Sequence, residues 1–258
     1  MQTIPLFLIL ILVGAGCGSS DAASAPEEWV WDLPDTVPLP RIPEDNPMTT
    51  AKVELGRFLF YDKQLSGNQT QSCGSCHQQE LAFTDALAQA EGSTGQIHPR
   101  SSMSIANVAY AASLTWANEV MVRLERQALV PMFGEDPVEL GLANMEDELL
   151  RRMRDDPRYP DMFADAFPAE ANPITLDNIT KALSAFQRSV ISFGSKVDRW
   201  QAGDRTALDE SEQRGMALFF GGTNAAGVED AFECFHCHGG FLFSQSSDDS
   251  GQVFDQKF

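Results

Sequence analysis

Basic residues are scarce in this chain. Only 18 Lys and Arg stand against 37 Asp and Glu in 258 residues, a formal net charge of -19. A surface this acidic repels phosphate backbones and anionic headgroups, which argues against nucleic acid as a partner. It leaves two readings open: a basic soluble partner, or acidity that simply keeps the protein in solution. Long hydrophobic runs are also lacking. Ile4 to Val13 is apolar apart from Pro5, too short to span a bilayer as a mature helix. No segment alternates with period two between hairpin turns, so strands should be few. Cysteine (5), histidine (4) and tyrosine (3) are all rare. With 43% apolar residues the chain is not disordered and suits one or two globular domains.

The short apolar run reads as an export signal. Gly14, Ala15 and Gly16 follow it, then Cys17. This is the layout of a lipoprotein-type signal over residues 1–17, with Cys17 as the lipidated first residue of the mature chain; ordinary signal cleavage is the alternative. The run lacks a preceding Lys or Arg, and position 14 is Gly where Leu is usual. Residues 18–47 form a linker and an extended lead-in, small and polar at first and Pro-rich from Leu33 to Pro47. The expected location is the periplasm, with a membrane reached only through lipid on Cys17.

The remaining cysteines fall in two C-x-x-C pairs, each followed at once by histidine: Cys73-Gly-Ser-Cys76-His77 and Cys234-Phe-His-Cys237-His238. Two thiols three positions apart share one helical turn and can reach the two vinyl groups of one haem. The next residue then turns an imidazole toward the iron. The pattern therefore predicts two covalent haem c groups, with His77 and His238 as iron ligands. A ribbon-type zinc site usually separates its pairs by about 15–20 residues and does not need histidine after each. A thioredoxin-like redox pair would need a βαβ setting. A disulfide across C-x-x-C closes too small a loop to be a useful staple.

Both motifs sit behind the same kind of segment. Leu55-Gly-Arg-Phe-Leu-Phe-Tyr61 precedes the first and Arg214-Gly-Met-Ala-Leu-Phe-Phe220 the second, with Gly56 matching Gly215. This is an internal repeat; each copy resembles the N-terminal helix of a cytochrome c domain, which implies a short helix before each motif with the glycine at a close crossing by another helix. Leu176, Ile179, Leu183, Phe186 and Val190 recur at helical spacing behind Thr175, a candidate cap, and Met145 to Arg154 is a second amphipathic stretch ahead of Pro157. The fold expected is mostly α, with two cytochrome c-like haem domains over 48–203 and 204–258, the second incomplete. The boundary falls at Gly203 to Thr206.

From Leu55 to His238 the chain resembles the bacterial di-haem cytochrome c peroxidase and MauG superfamily. The matching pieces are Leu55-Gly-Arg-Phe-Leu-Phe-Tyr-Asp-Lys-Gln-Leu-Ser66, Ser72-Cys-Gly-Ser-Cys-His77, Arg100 with Ala106-Asn107, Leu124-Glu-Arg-Gln-Ala128, Pro137-Val-Glu-Leu140 and Ala182-Leu-Ser-Ala-Phe-Gln-Arg188. The wording around His98-Pro99-Arg100 and Phe133 to Gly141 is most similar to the branch associated with methanobactin-type copper peptides, whose members oxidise a tryptophan of a partner protein.

The resemblance implies hydrogen peroxide as substrate at the first haem. It implies Glu139 as the acid–base group and Gln127 as a neighbouring amide, although this chain has two more residues between them than the peroxidase pattern. Trp116 matches the tryptophan between the haems, within Trp-Ala-Asn where the peroxidases usually have Trp-Asp-Gly; an ordinary core tryptophan is the alternative. Asn107 matches a calcium ligand, since a carboxamide oxygen suits a hard cation. His98 is either a removable sixth ligand of the first iron or a loop histidine beside an open site. The family draws the second iron's other ligand, Met or Tyr, from a later segment. Only 20 residues follow His238 and none is Met, Tyr or His, so the resemblance implies a chain cut short, with part of the second domain's apolar face bare. Three functions follow: a peroxidase fed by a small redox protein, a MauG-like enzyme that oxidises a side chain of a substrate protein, or a plain di-haem electron carrier.

Overall fold

The computed structural model describes residues 26–221 apart from 36, 117 and 119, together with 232, 234–239 and 241–243. The export signal and Cys17 lie outside the described residues. The elements in chain order are α1 (Thr50–Tyr61), α2 (Cys73–Cys76), α3 (Leu124–Gln127), α4 (Leu129–Phe133), α5 (Glu146–Asp155), α6 (Tyr159–Ala166), α7 (Leu176–Ser189), α8 (Lys196–Gln201) and α9 (Glu210–Phe220). Short 3-10 turns punctuate the loops, including Cys234–His236 and Phe241–Phe243. Among the described residues β pairing is confined to isolated bridges, so the mostly α expectation holds.

α7 starts where the periodicity places it. The Thr175 side chain accepts the Asn178 backbone N–H at 3.2 Å, satisfying one of the free donors of the first turn. Its apolar face, Ile179, Ala182, Leu183 and Phe186, is buried against α1 through Leu55, Leu59 and Phe60. α5 and α6 close the core with Leu149, Met153, Tyr159 and Phe163, all fully buried. The lead-in wraps this core: Trp29, Trp31 and Ile42 pack on it, and Pro38 accepts a hydrogen bond from the Tyr110 hydroxyl at 2.7 Å.

The α1–α7 crossing is as close as backbones allow. A Cβ on Gly56 would overlap the Ala182 carbonyl oxygen. Gly215, its partner in the repeat, differs: no described residue lies within 4 Å of a Cβ there. α9 buries none of its residues, so a second crossing like that at Gly56 is not seen among the described residues.

One buried polar network ties three segments together. Arg188 at the end of α7 donates to both carboxylate oxygens of Glu125 on α3, at 2.7 and 3.1 Å. Asn46 of the lead-in donates to the same carboxylate at 2.8 Å and to the Lys181 carbonyl at 3.0 Å. Burial pushes the Glu125 carboxyl up, but its bonds to Arg188 and Asn46 outweigh that and hold it below the usual range. A second buried guanidinium, Arg152, donates to the carbonyls of Gln64, Ser66 and Gly67 and fixes the loop that leads into the first C-x-x-C-H.

These contacts set two stability predictions, both read by thermal or denaturant unfolding. Gly56→Ala gains at most about 1 kcal/mol of helix propensity, but overpacking against a backbone carbonyl costs about 1–3 kcal/mol or more; net destabilisation is expected. The same change at Gly215 meets no neighbour and should be neutral or stabilising by about 0.5–1 kcal/mol. Arg188→Ala strands the Glu125 carboxylate in the interior and should cost about 3–5 kcal/mol, whereas Arg151→Ala, which removes exposed pairs with Glu148 and Asp155, should cost no more than about 1 kcal/mol.

Candidate functional site

The first C-x-x-C-H is a single helical turn. Ser72 stands before it, its backbone N–H donating to the Ser75 hydroxyl at 3.0 Å, and the His77 N–H closes the turn on the Cys73 carbonyl at 3.0 Å. A Cβ on Gly74 would run into the Tyr61 ring, which would have to shift. Both thiols are free and line one cavity with His77. His77 Nδ1 lies 3.0 Å from the Phe83 carbonyl. A carbonyl can only accept, so Nδ1 carries the proton and Nε2 keeps its lone pair, the form in which imidazole binds a metal. Burial lowers the His77 pKa, which also favours the neutral ring.

Burial pushes the Cys73 thiol up to about 12. Burial, followed by the charges of Asp85 and Glu139, raises Cys76 as well. Thiols held this high are poor redox nucleophiles, which argues against a thioredoxin-like role. Among the described residues no three His, Cys, Asp or Glu side chains converge to hold a metal ion, so the two cysteine pairs do not build a common zinc site. Paired thiols, a neutral imidazole with one nitrogen committed and a cavity at their side fit a covalent haem. Cys73, Cys76 and His77 could hold it.

The cavity has a volume of about 650 Å³, within the usual range for cofactor sites. It gathers residues that lie far apart in sequence: Cys73, Cys76 and His77 share it with His98, Asn107, Trp116, Gln127 and Glu139. Gln127 comes from the end of α3, two positions after the buried Glu125. Glu139 comes from the loop after α4, and that loop is pinned along its length. The Glu139 carbonyl accepts from Ser93 N–H at 2.7 Å, Val138 N–H donates to the Gln96 side chain at 2.8 Å, and Leu140 N–H donates to the Pro131 carbonyl at 2.9 Å. Burial raises the Glu139 carboxyl, with His98 opposing as the lesser effect. His98 is anchored by its backbone N–H to the Ala90 carbonyl at 2.8 Å, and its Nε2 lies 3.4 Å from the Val138 carbonyl.

Trp116 is not a core residue: 49% of it is exposed. Its indole N–H donates to the Ser101 carbonyl at 3.2 Å, and the Arg100 guanidinium sits 5.1 Å from the ring centre. Asn107 has a left-handed backbone (φ 58°), and its carboxamide clasps Ser192 in both directions, accepting from the N–H at 2.7 Å and donating to the carbonyl at 2.9 Å. One lone pair of its oxygen is left. Sequence reasoning gave no role to Glu125 and Arg188; a charged pair inside otherwise apolar helix faces was the available signal.

The second motif repeats the first turn. His238 N–H bonds to the Cys234 carbonyl at 2.9 Å. His238 lines an apolar cavity of about 570 Å³ with Met216, Phe219, Phe220 and Phe243. Phe219 meets Phe243 edge-on at 5.8 Å. Cys234, Cys237 and His238 could hold a second haem against these rings.

Comparison with known proteins agrees with this geometry. The family model described as di-haem cytochrome c peroxidase matches residues 50–206. Cytochrome-c peroxidase IdrP1 of Denitromonas iodatirespirans is 38% identical over 92% of this chain and 58% of its own length. Methylamine utilization protein MauG of Methylorubrum extorquens is 34% identical over 91% of this chain and 62% of its own. The crystal structure of a MauG-like protein associated with microbial copper homeostasis superposes with a TM-score of 0.80 at 47% identity, over 88% of this chain and 62% of that one. The chain thus spans less than two thirds of the length of each of these relatives. By the extent of the family match, the chain belongs to the di-haem cytochrome c peroxidase family.

Proposed function

We propose that this chain carries out hydrogen-peroxide-dependent oxidation at the cavity around His77. One observation carries the reading: a half-buried carboxyl, Glu139, shares that cavity with the metal-binding edge of His77 and with the Gln127 amide. The haem supplies, when bound, an iron that takes up the oxidising equivalents of peroxide. Glu139, as carboxylate, accepts a proton from one peroxide oxygen and returns it to the other, because hydroxide leaves readily only once it is protonated to water. Gln127 offers an amide N–H to hold the peroxide in register. Trp116, half in water and half in the cavity wall, would relay electrons from a second haem, which Cys234, Cys237 and His238 would hold.

The MauG-like alternative, in which electrons come from a side chain of a substrate protein, is favoured by the 47% identical MauG-like structure and by the exposure of Trp116. The peroxidase reading uses a small reduced redox protein instead. In either case the net charge of -19 favours a basic partner. Export to the periplasm, lipid on Cys17, division into two haem domains near Gly203 to Thr206, and calcium at Asn107 belong to the same proposal and rest on the sequence. Mixing the haem-loaded protein with peroxide separates these readings from a plain electron carrier, which would show no change in absorption. Fast turnover with reduced cytochrome c supports the peroxidase. A rapid peroxide reaction with slow cytochrome turnover supports protein modification.

Glu139→Gln should slow the peroxide reaction about 10²-fold or more in stopped-flow absorbance. The acting form is the carboxylate, and its raised pKa places the acid limb above the ordinary carboxylate range. The native rate should therefore fall as pH drops through that value, while the Gln variant shows no such limb; an equal rate in both would remove the assignment. Trp116→Phe should leave the initial peroxide reaction unchanged and slow the later delivery of electrons from the second haem in single-turnover measurements.

A further inference from the structure

Beside the first motif stands a feature that peroxide chemistry does not need. Tyr61, the last residue of α1, is 43% exposed. Its ring lies directly on Gly74, inside the Cys73–Cys76 turn. It also meets Phe60 edge-on, with ring centres 5.2 Å apart, and Phe60 stands 6.2 Å from the His77 ring. Phe186 completes the cluster, 5.0 Å from Phe60 and 6.1 Å from Tyr61. These are ordinary aromatic contact distances. The other two tyrosines, Tyr110 and Tyr159, are buried, at 1% and 0% exposure. Tyr61 is thus the tyrosine that reaches both water and the turn that could hold the haem.

Electron transfer weakens steeply with the width of the gap to be crossed. From Tyr61 the gaps are short by two routes, through Phe60 to the His77 ring and through Gly74 to the cysteine next to it. Phenol is also among the more readily oxidised side chains. We infer that Tyr61 is a surface inlet for electrons to the first haem, independent of Trp116 and the second haem; the inference rests on the peroxide reading above. Hydrogen peroxide needs two electrons and two protons to become two waters. Tyr61 supplies one electron to the haem held at His77, its O–H proton passes to water, and a neutral phenoxyl radical remains. A reduced donor at the surface returns an electron and a proton to Tyr61, and a second passage through Tyr61 supplies the other electron. The two protons released to water match the two taken up by the peroxide oxygens, so two one-electron donor oxidations balance one peroxide reduced to two waters. Partial burial and the Glu80 carboxylate raise the Tyr61 pKa, so the phenol enters this cycle protonated.

The test uses the haem-loaded full chain with hydrogen peroxide and a nitroso spin trap, without any electron donor, followed by digestion and mass spectrometry. A trap adduct on Tyr61 is expected. Tyr61→Phe should lose that adduct and return more slowly to the resting absorption spectrum. It keeps the ring contacts, so its haem content and melting temperature should match the native protein. A spectral change with adducts at Trp116 or elsewhere, and none on Tyr61, overturns the inlet and leaves the peroxide reaction standing. No spectral change with peroxide overturns the reading beneath it, and the inlet with it.

Discussion

The two longest helices meet where no side chain fits, and most of the site depends on that contact. Gly56 brings the α1 backbone against the Ala182 carbonyl of α7. With the helices this close, Phe186 packs on Phe60, whose ring lies tilted 6.2 Å from the His77 ring. Leu183 and Gln187 of α7 reach the wall of the large cavity. The end of α7 places Arg188 on Glu125, which holds α3 and so the Gln127 that follows. A wider crossing would loosen the packing beside His77 and the cavity wall near Gln127 together, because the same pair of helices carries both.

Two glutamates near this cavity divide the electrostatic work. Glu125 is paired by Arg188 and Asn46 and is held ionised; its role is to fix helices. Glu139 is half-buried, no arginine among the described residues pairs with it, and its carboxyl is raised. Environments that push similar groups in opposite directions are a common basis for acid–base assignment. The arrangement costs folding energy at Glu139 and leaves it free to move a proton. The pinned backbone on either side holds that carboxyl in position without further motion.

Much of this was legible in sequence wherever the signal was local. C-x-x-C-H specifies its own turn, Thr175 caps α7 by a bond three residues away, and the repeat around Gly56 announced a close crossing. The matching glycine, Gly215, has no such neighbour among the described residues. Trp116 looked as much like a core residue as a relay, and only its surroundings decide that half of it faces water. The Glu125–Arg188 pair was missed because a charge on a helix is usually solvated; burial depends on what the rest of the chain brings to that face. The convergence of His77, His98, Trp116, Gln127 and Glu139 on one cavity came from resemblance to a family. Periodicity cannot report it, since these residues sit on separate loops and helix ends.

All of this presumes that each cysteine pair carries porphyrin iron by covalent bonds. Intact-mass measurement of protein made in a host with working cytochrome maturation tests this directly. The account predicts a mass of the processed chain plus two haems, falling by one haem when Cys73 and Cys76 are both replaced by alanine. A mass equal to that of the bare chain, or one that this double replacement leaves unchanged apart from the cysteines themselves, would contradict it.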